Sequence, residues 1–339
     1  ELQELLRLLP PSAISKLPDR PEDVLGWFRN EYLPYRYWQM NTDDENAYSL
    51  ILGHANAFSI WFLEHYPQAL SGDDMRRHLS FDKAVSMTNN SNQYVTLLVV
   101  LDGLHVGDAH TLRLKIQQQT PRLSLLSDEL AFTAIPTVTE FCKDALFRGV
   151  PPTQILQAKP IGAIIPEVEF PVTKIQSANP GDVFLWRVQE PDHTYHAKNK
   201  HDTLIRKVES ELDSIANIIH DIVNQVPDEI SLQLIITTDH GRLLGISRRK
   251  YAIPVNMESH GRAAWGNHSD IDFGPSGYVI QDKLIYLDRE RFGTSQYLVI
   301  PLDDNTFLMS DGKKGNDAFP HGGLFPEEVI IPWIGFIRD

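Results

Sequence analysis

The sequence predicts an α/β fold: a mostly parallel sheet flanked by helices, with an N-terminal helical subdomain and a small inserted cap. Three observations carry this prediction. The runs Tyr94–Leu101, Val183–Val188 and Leu232–Thr237 are short, apolar and rich in β-branched residues, as strands buried on both faces are. A long amphipathic stretch separates the second run from the third, so strand, helix and strand alternate as a parallel crossover requires. Residues 1–80 instead carry apolar side chains at helical spacing.

In chain order, Leu2, Leu5, Leu6 and Leu9 share a helical face ahead of Pro10 and Pro11, and Phe58, Trp61, Phe62 and Tyr66 recur at helical spacing. The aromatics Trp27, Phe28, Tyr32, Tyr35, Tyr37 and Trp38 are accompanied only by scattered arginines. They read as core or interdomain packing rather than a platform for stacking bases. The first strand passes directly into the polar turn Asp102-Gly103-Leu104-His105. A helix over Thr139–Phe147 follows Pro136 and stops at Gly149. From about Lys200 to Val226, Leu204, Val208, Leu212, Ile215, Ile219 and Ile222 form one stripe of a helix ended by Pro227. The third strand then runs into Thr238-Asp239-His240-Gly241. An irregular insert from Arg242 to about Ser276 precedes strand-like pieces at Tyr278–Leu287, Tyr297–Leu302 and Thr306–Ser310. A loop from His321, a short helical turn and an apolar strand close the chain. The expected division is a helical subdomain over 1–85 and an α/β domain over 86–339, with an insert or cap at about 242–316.

At 339 residues and 42% hydrophobic content, the chain can fill a sizeable core. Its apolar runs are too short to cross a bilayer, and its first residues lack the layout of a secretory signal. Cys142 is the only cysteine, which excludes an intrachain disulfide and fits a cytoplasmic setting. The first residue is Glu1, which suggests a piece of a longer protein. A formal charge of −14 argues against general nucleic-acid affinity but leaves room for a local basic groove.

The polar residues that could carry chemistry fall where the strands end, the place where open α/β sheets bind ligands. Asp102 follows the first strand, Asp192 and His196 follow the second, Asp239 and His240 follow the third, and His321 opens the final loop. Each is weak alone. Together they form an ordered set of carboxylates and imidazoles suited to Zn²⁺ or Mn²⁺ more than to Ca²⁺ or Mg²⁺, with threonine hydroxyls available between the first two clusters. His105 and Asp108 read as turn or surface residues. Arg242, Arg248, Arg249, Lys250, His260 and Arg262 lie in the insert. They read equally as phosphate donors and as a solvated charged loop, with Arg242, His260 and Arg262 the candidates for substrate binding.

Several of these phrases together resemble the alkaline phosphatase superfamily: Asp102-Gly-Leu after a strand, Pro136-Thr-Val-Thr139 ten residues before Gly149, Pro191-Asp192 with His196 four positions on, Thr238 to Gly241, and His321-Gly-Gly323. Within it, Leu98–Gly103, Ile135–Gly149 and His321–Pro332 are similar to the PglZ domain of bacterial phage-defence (BREX) systems. The resemblance spans about Tyr94 to Phe336. It implies two divalent ions, one held by Asp102, Thr139, Asp239 and His240, the other by Asp192, His196 and His321, with Thr139 as a metal-activated nucleophile. The implied activity is a phosphodiesterase or nuclease working with other BREX proteins, with nucleic acid as a candidate substrate and no membrane partner. The alternatives are a phosphomonoesterase and a noncatalytic metal-binding scaffold of a defence complex. The pattern departs from related phosphodiesterases at Cys142, where they carry Asn, and at Tyr195, where they carry Gly.

Overall fold

Three apolar runs become the parallel centre of a six-stranded sheet. In the computed structural model, which describes residues 10–42, 44–89, 93–196, 201–267 and 271–338, they are β1 (Val95–Leu101), β4 (Val183–Val188) and β5 (Leu232–Thr237). The edge strands are β2 (Ser124–Phe132) and β3 (Ala163–Ile165), and β14 (Ile330–Arg338) completes the order β2-β14-β5-β1-β4-β3. β1 is parallel to both β4 and β5, and β3 is parallel to β4, whereas β14 is antiparallel to β5 and β2. The fold is therefore mixed α/β with a mostly parallel sheet flanked by helices. The face of Leu2, Leu5, Leu6 and Leu9 lies outside the described residues.

The chain divides into two compact units. The sheet unit comprises Leu79–Ala134, Thr139–Gly241 and Ile330–Asp339; the second comprises Glu1–His78, Ile135–Val138 and Arg242–Val329. This division differs from the expected boundaries at 85 and 242–316. The helix Ser80–Asn89 belongs with the sheet, because Ala84 and Met87 pack with Leu98, Val100, Leu185 and Ile235. The inserted strands fall in one unit with the N-terminal helices.

In the sheet unit, alternation along β1 sends Leu98 and Val100 to the face that also receives Leu146 and Phe147 of the helix Thr139–Arg148. That packing seats the helix start, and so Thr139, at the end of the sheet where the ligand loops emerge. The helix His201–Gln225 buries the expected stripe, Leu204 through Ile222, and packs against the helix Val106–Gln119. Each buried aliphatic side chain of this kind contributes about 1.5–3 kcal/mol. Arg338, fully buried at the end of β14, donates to the carbonyls of Val223, Val226, Pro227 and Ile230 at 2.6–2.8 Å. It satisfies acceptors that the helix end leaves open.

In the second unit, Pro21–Trp27 continues through a wider turn, Phe28–Tyr32, into the helix Leu33–Met40, followed by the long helix Glu45–Leu70. Asp44 caps the long helix by accepting from Asn46 and Ala47 N–H at 2.8 and 3.2 Å. Trp27, Phe28, Tyr32, Tyr35, Phe58, Trp61, Phe62 and Tyr66 are buried, as packing aromatics are. The insert is not irregular: it holds β6 (Ile246–Tyr251), β7 (Met257–His260) and β8 (Ala263–Gly266). Together with β9 (Tyr278–Gln281), β10 (Leu284–Leu287), β11 (Tyr297–Pro301), β12 (Thr306–Phe307) and β13 (Gly315–Ala318), they form two sheets, ordered β7-β8-β11-β10-β9 and β12-β6-β13. Asp282 and Lys283, at φ 49° and 66°, form the tight two-residue turn between β9 and β10. Among the described residues no helix is long and apolar enough to cross a membrane.

Candidate metal and nucleophile site

The loops after β1 and β5 converge at the start of the helix Thr139–Arg148. One oxygen of Asp102, one of Asp239 and one ring nitrogen of His240 all lie within 4.8 Å of one another, and all three residues are buried. The Thr139 hydroxyl sits at 3.1 Å from both Asp102 Oδ1 and His240 Nε2. Thr238 pins the loop from behind: its hydroxyl donates to the His240 carbonyl at 2.8 Å and accepts from Leu104 N–H at 3.0 Å.

Proton counting shows what this arrangement lacks. His240 Nδ1 lies 2.9 Å from the Gly241 carbonyl, so Nδ1 carries the hydrogen and, in the neutral ring, Nε2 presents a lone pair. Asp239 Oδ1 accepts from Gly103 N–H at 3.3 Å and His240 N–H at 3.1 Å, while its Oδ2 is buried without a hydrogen-bond partner. The Thr139 hydroxyl thus lies between Asp102 Oδ1 and His240 Nε2, and Asp239 Oδ2 lies 3.9 Å from that same nitrogen. Burial, then repulsion from Asp239 and Asp192, pushes the Asp102 carboxyl up to about 7, against the pull of His240 and Arg187. Burial likewise raises Asp239. An orphaned carboxylate oxygen, an aimed imidazole nitrogen and clustered negative charge are what a divalent cation completes, and this oxygen and nitrogen donor set fits Zn²⁺ or Mn²⁺.

Arg187 is the site residue that sequence reading missed. It donates through Nη2 to Asp102 Oδ2 and through Nη1 to Glu167, while Gln189 donates to Glu167 Oε2 at 2.7 Å. This chain of contacts fixes the outer oxygen of Asp102 and leaves Oδ1 to Thr139. The available signal was that Arg187 is the one charged residue in an otherwise apolar strand.

Asp192 and His196 sit on the helical turn Asp192–His196, with His196 Nε2 at 3.3 Å from Asp192 Oδ2. The backbone N–H of Asp192 donates to the Asp102 carbonyl at 3.1 Å, which ties this turn to the first cluster. Tyr195 is anchored by its hydroxyl to Asp108 Oδ2 at 2.6 Å. His105 caps the helix Val106–Gln119 by accepting from Gly107 N–H at 3.0 Å, a turn role as expected. Cys142 is buried, with its thiol 3.1 Å from the Ala134 carbonyl.

The remaining candidates belong to the second unit. There His321 Nε2 lies 3.2 Å from His260 Nε2, and His321 Nδ1 lies 2.9 Å from the Thr137 carbonyl. Thr137 is a loop clasp: its hydroxyl donates to the Gly323 carbonyl at 3.0 Å and accepts from Gly322 N–H at 2.9 Å. Gly322, at φ 111°, permits this close approach, since a Cβ there would fall 2.8 Å from Ala263 N.

Two sequence candidates for substrate contact, Arg262 and Arg242, are fully buried and hydrogen-bonded within the second unit. Arg262 is fully buried, with Nε at 2.9 and 3.1 Å from the two Glu328 oxygens and Nη1 donating to the Asp303 and Asn305 carbonyls. Glu328 also accepts from Gly323 and Phe325 N–H. These contacts hold Nε and Nη1, while Nη2 is buried without a hydrogen-bond partner among the described residues. Arg242 is also fully buried and donates to the Phe319 carbonyl at 3.2 Å.

No protein-family model matches the chain, and no curated protein matches it. Among solved structures, it is similar to murine ectonucleotide pyrophosphatase/phosphodiesterase 5 at 14% identity and a TM-score of 0.46, covering 71% of this chain and 88% of that one. It is also similar to phosphonoacetate hydrolase from Sinorhizobium meliloti 1021, crystallised with phosphonoformate, at 13% identity and a TM-score of 0.46, covering 72% and 90%. The case for function therefore rests on the residues themselves.

Proposed function

We propose that the chain is a divalent-metal-dependent phosphoester hydrolase with Thr139 as nucleophile, acting on phosphodiesters. The observation that carries this reading is the Thr139 hydroxyl held 3.1 Å from His240 Nε2 and Asp102 Oδ1, beside the partnerless Oδ2 of Asp239. A cation held by Asp102, Asp239 and His240 would place positive charge against that hydroxyl and favour its ionised form. The chain's own groups supply the rest. Thr139 opens a ten-residue helix, whose N-terminus favours negative charge developing at phosphate. Gly241 holds His240 in the tautomer that keeps its Nε2 lone pair on the hydroxyl, and Arg187 orients Asp102.

Asp192 and His196 would contribute to a second ion; the remaining ligand implied by the resemblance, His321, belongs to the second unit. The finer reading, a nuclease acting beside other proteins of a phage-defence system in the cytoplasm, is supported by the PglZ-like phrases and the lone cysteine. The test is a paired assay with bis(p-nitrophenyl) phosphate and p-nitrophenyl phosphate, with Zn²⁺ or Mn²⁺ and with EDTA. Diester turnover is expected to exceed monoester turnover by about ten-fold or more and to vanish with EDTA. A monoester preference would instead mark a phosphomonoesterase. Inertness toward both substrates with metal present would overturn the hydrolase.

A further inference from the structure

The insert's cations, left aside by the catalytic reading, line a cleft of their own. Within the second unit, a cleft of about 1000 Å³ is bordered by Tyr48, Arg248, Arg249, Lys250, Lys314 and Asn316, among others. Four cations line it against one carboxylate, Asp304, in a chain whose formal charge is −14. The concentration of positive charge is local and built on a sheet. β6 carries Arg248, Arg249 and Lys250, and β13 lies antiparallel to it with Asn316 opposite Arg248 and Gly315 opposite Arg249. Alternation along β6 buries Ser247 and exposes Arg248 and Lys250.

The cations are not equivalent. Arg249 is 3.5 Å from Asp317 and Lys250 is 3.3 Å from Asp303. Arg248 and Lys314 are exposed and have no ion pair among the described residues. Exposed ion pairs add little to stability, so what these two cations offer is charge available to a ligand. Beside them Tyr48 is 37% exposed, and its hydroxyl donates to Asp304 at 2.6 Å. That bond fixes the ring's position before any ligand arrives and lowers the entropic cost of stacking on it.

We propose that this cleft binds single-stranded nucleic acid, with Arg248 and Lys314 on backbone phosphates and a base stacked on Tyr48. Cations beside a fixed aromatic face suit a strand that alternates phosphate and base. An acidic peptide would use the charges but leave the ring idle, and the cleft is far larger than one inorganic phosphate needs. The inference does not rest on the hydrolase reading.

The test is fluorescence anisotropy of a labelled twelve-residue oligothymidylate with the full chain in EDTA, where the proposed hydrolysis is silent. Binding is expected to weaken with salt, and the double variant R248Q/K314Q should reduce affinity about ten-fold or more while flattening the log–log salt slope by about 1.4, which corresponds to two phosphate contacts on a single strand. Tyr48→Leu should cost about five-fold or more through lost stacking, and Tyr48→Phe, which keeps the ring but loses its bond to Asp304, should cost less than Tyr48→Leu. Lys16→Gln with Lys283→Gln, two cations of the same unit outside the cleft, should change affinity less than about two-fold. Circular dichroism confirms that each variant is folded. No salt-dependent binding, an R248Q/K314Q slope equal to wild type, or equal displacement by polyglutamate of matched charge would overturn the proposal.

Discussion

Replacing Thr139 with alanine is expected to lower phosphodiester turnover by about 10³-fold or more while the fold stays intact. The hydroxyl contacts Asp102 and His240, and the helix it opens is held to the sheet by Leu146 and Phe147. Removing it therefore subtracts the attacking group without opening the core. Thr139→Ser, which keeps the hydroxyl but frees its rotation, should recover a measurable part of the rate. The comparison is made by initial rates on bis(p-nitrophenyl) phosphate at saturating metal, alongside thermal melts. A T139A enzyme within two-fold of wild type would remove Thr139 from the chemistry.

The second large effect has opposite signs with and without metal. Asp239→Asn keeps the Oδ1 acceptor for Gly103 and His240 N–H and puts an N–H₂ where Oδ2 now lacks a partner, 3.9 Å from His240 Nε2. In chelator the variant should melt a few degrees above wild type at neutral pH, because a buried uncompensated carboxylate has been neutralised. With Zn²⁺ wild type should rise and the variant should not, reversing the order.

The pH dependence follows from the raised carboxyl of Asp102, about 7 in the folded chain against about 3.9 unfolded. Between those values the folded state holds the extra proton. Metal-free stability therefore falls as pH climbs from about 4 to 7, at up to about 1.4 kcal/mol per pH unit for one group, and levels above that range. Melts of the metal-free protein across this range, with Asp102→Asn as the reference lacking that slope, check the sign.

How far the sequence leads depends on which forces write themselves locally. β1, β4 and β5 are legible because strands covered on both faces must be continuous apolar runs, and the ligand loops are legible because they follow those runs directly. β2 is not: Ser124–Phe132 mixes polar and apolar residues without alternation, is exposed or half-exposed over its first six residues at the sheet edge, and is fixed by pairing with β14 some two hundred residues away. β6 escapes for a similar reason, since Ser247, Arg248, Arg249 and Lys250 carry no apolar alternation. Arg262 misleads because a Gly-Arg-Ala turn looks like an exposed loop, and its true partner, Glu328, is distant in sequence. Arg187 is overlooked because one charge in an apolar run looks like a strand end. In each of these cases the deciding contact is long-range, and residue type alone does not report it.

The central claim is that Asp102, Asp239 and His240 hold a cation beside Thr139. The most direct measurement is equilibrium dialysis of the full chain against Zn²⁺ at neutral pH, followed by elemental analysis of wild type, Asp239→Asn and His240→Ala. Wild type is expected to retain zinc, and each variant about one equivalent fewer. Zinc absent from wild type, or equal content in all three folded proteins, would contradict the claim.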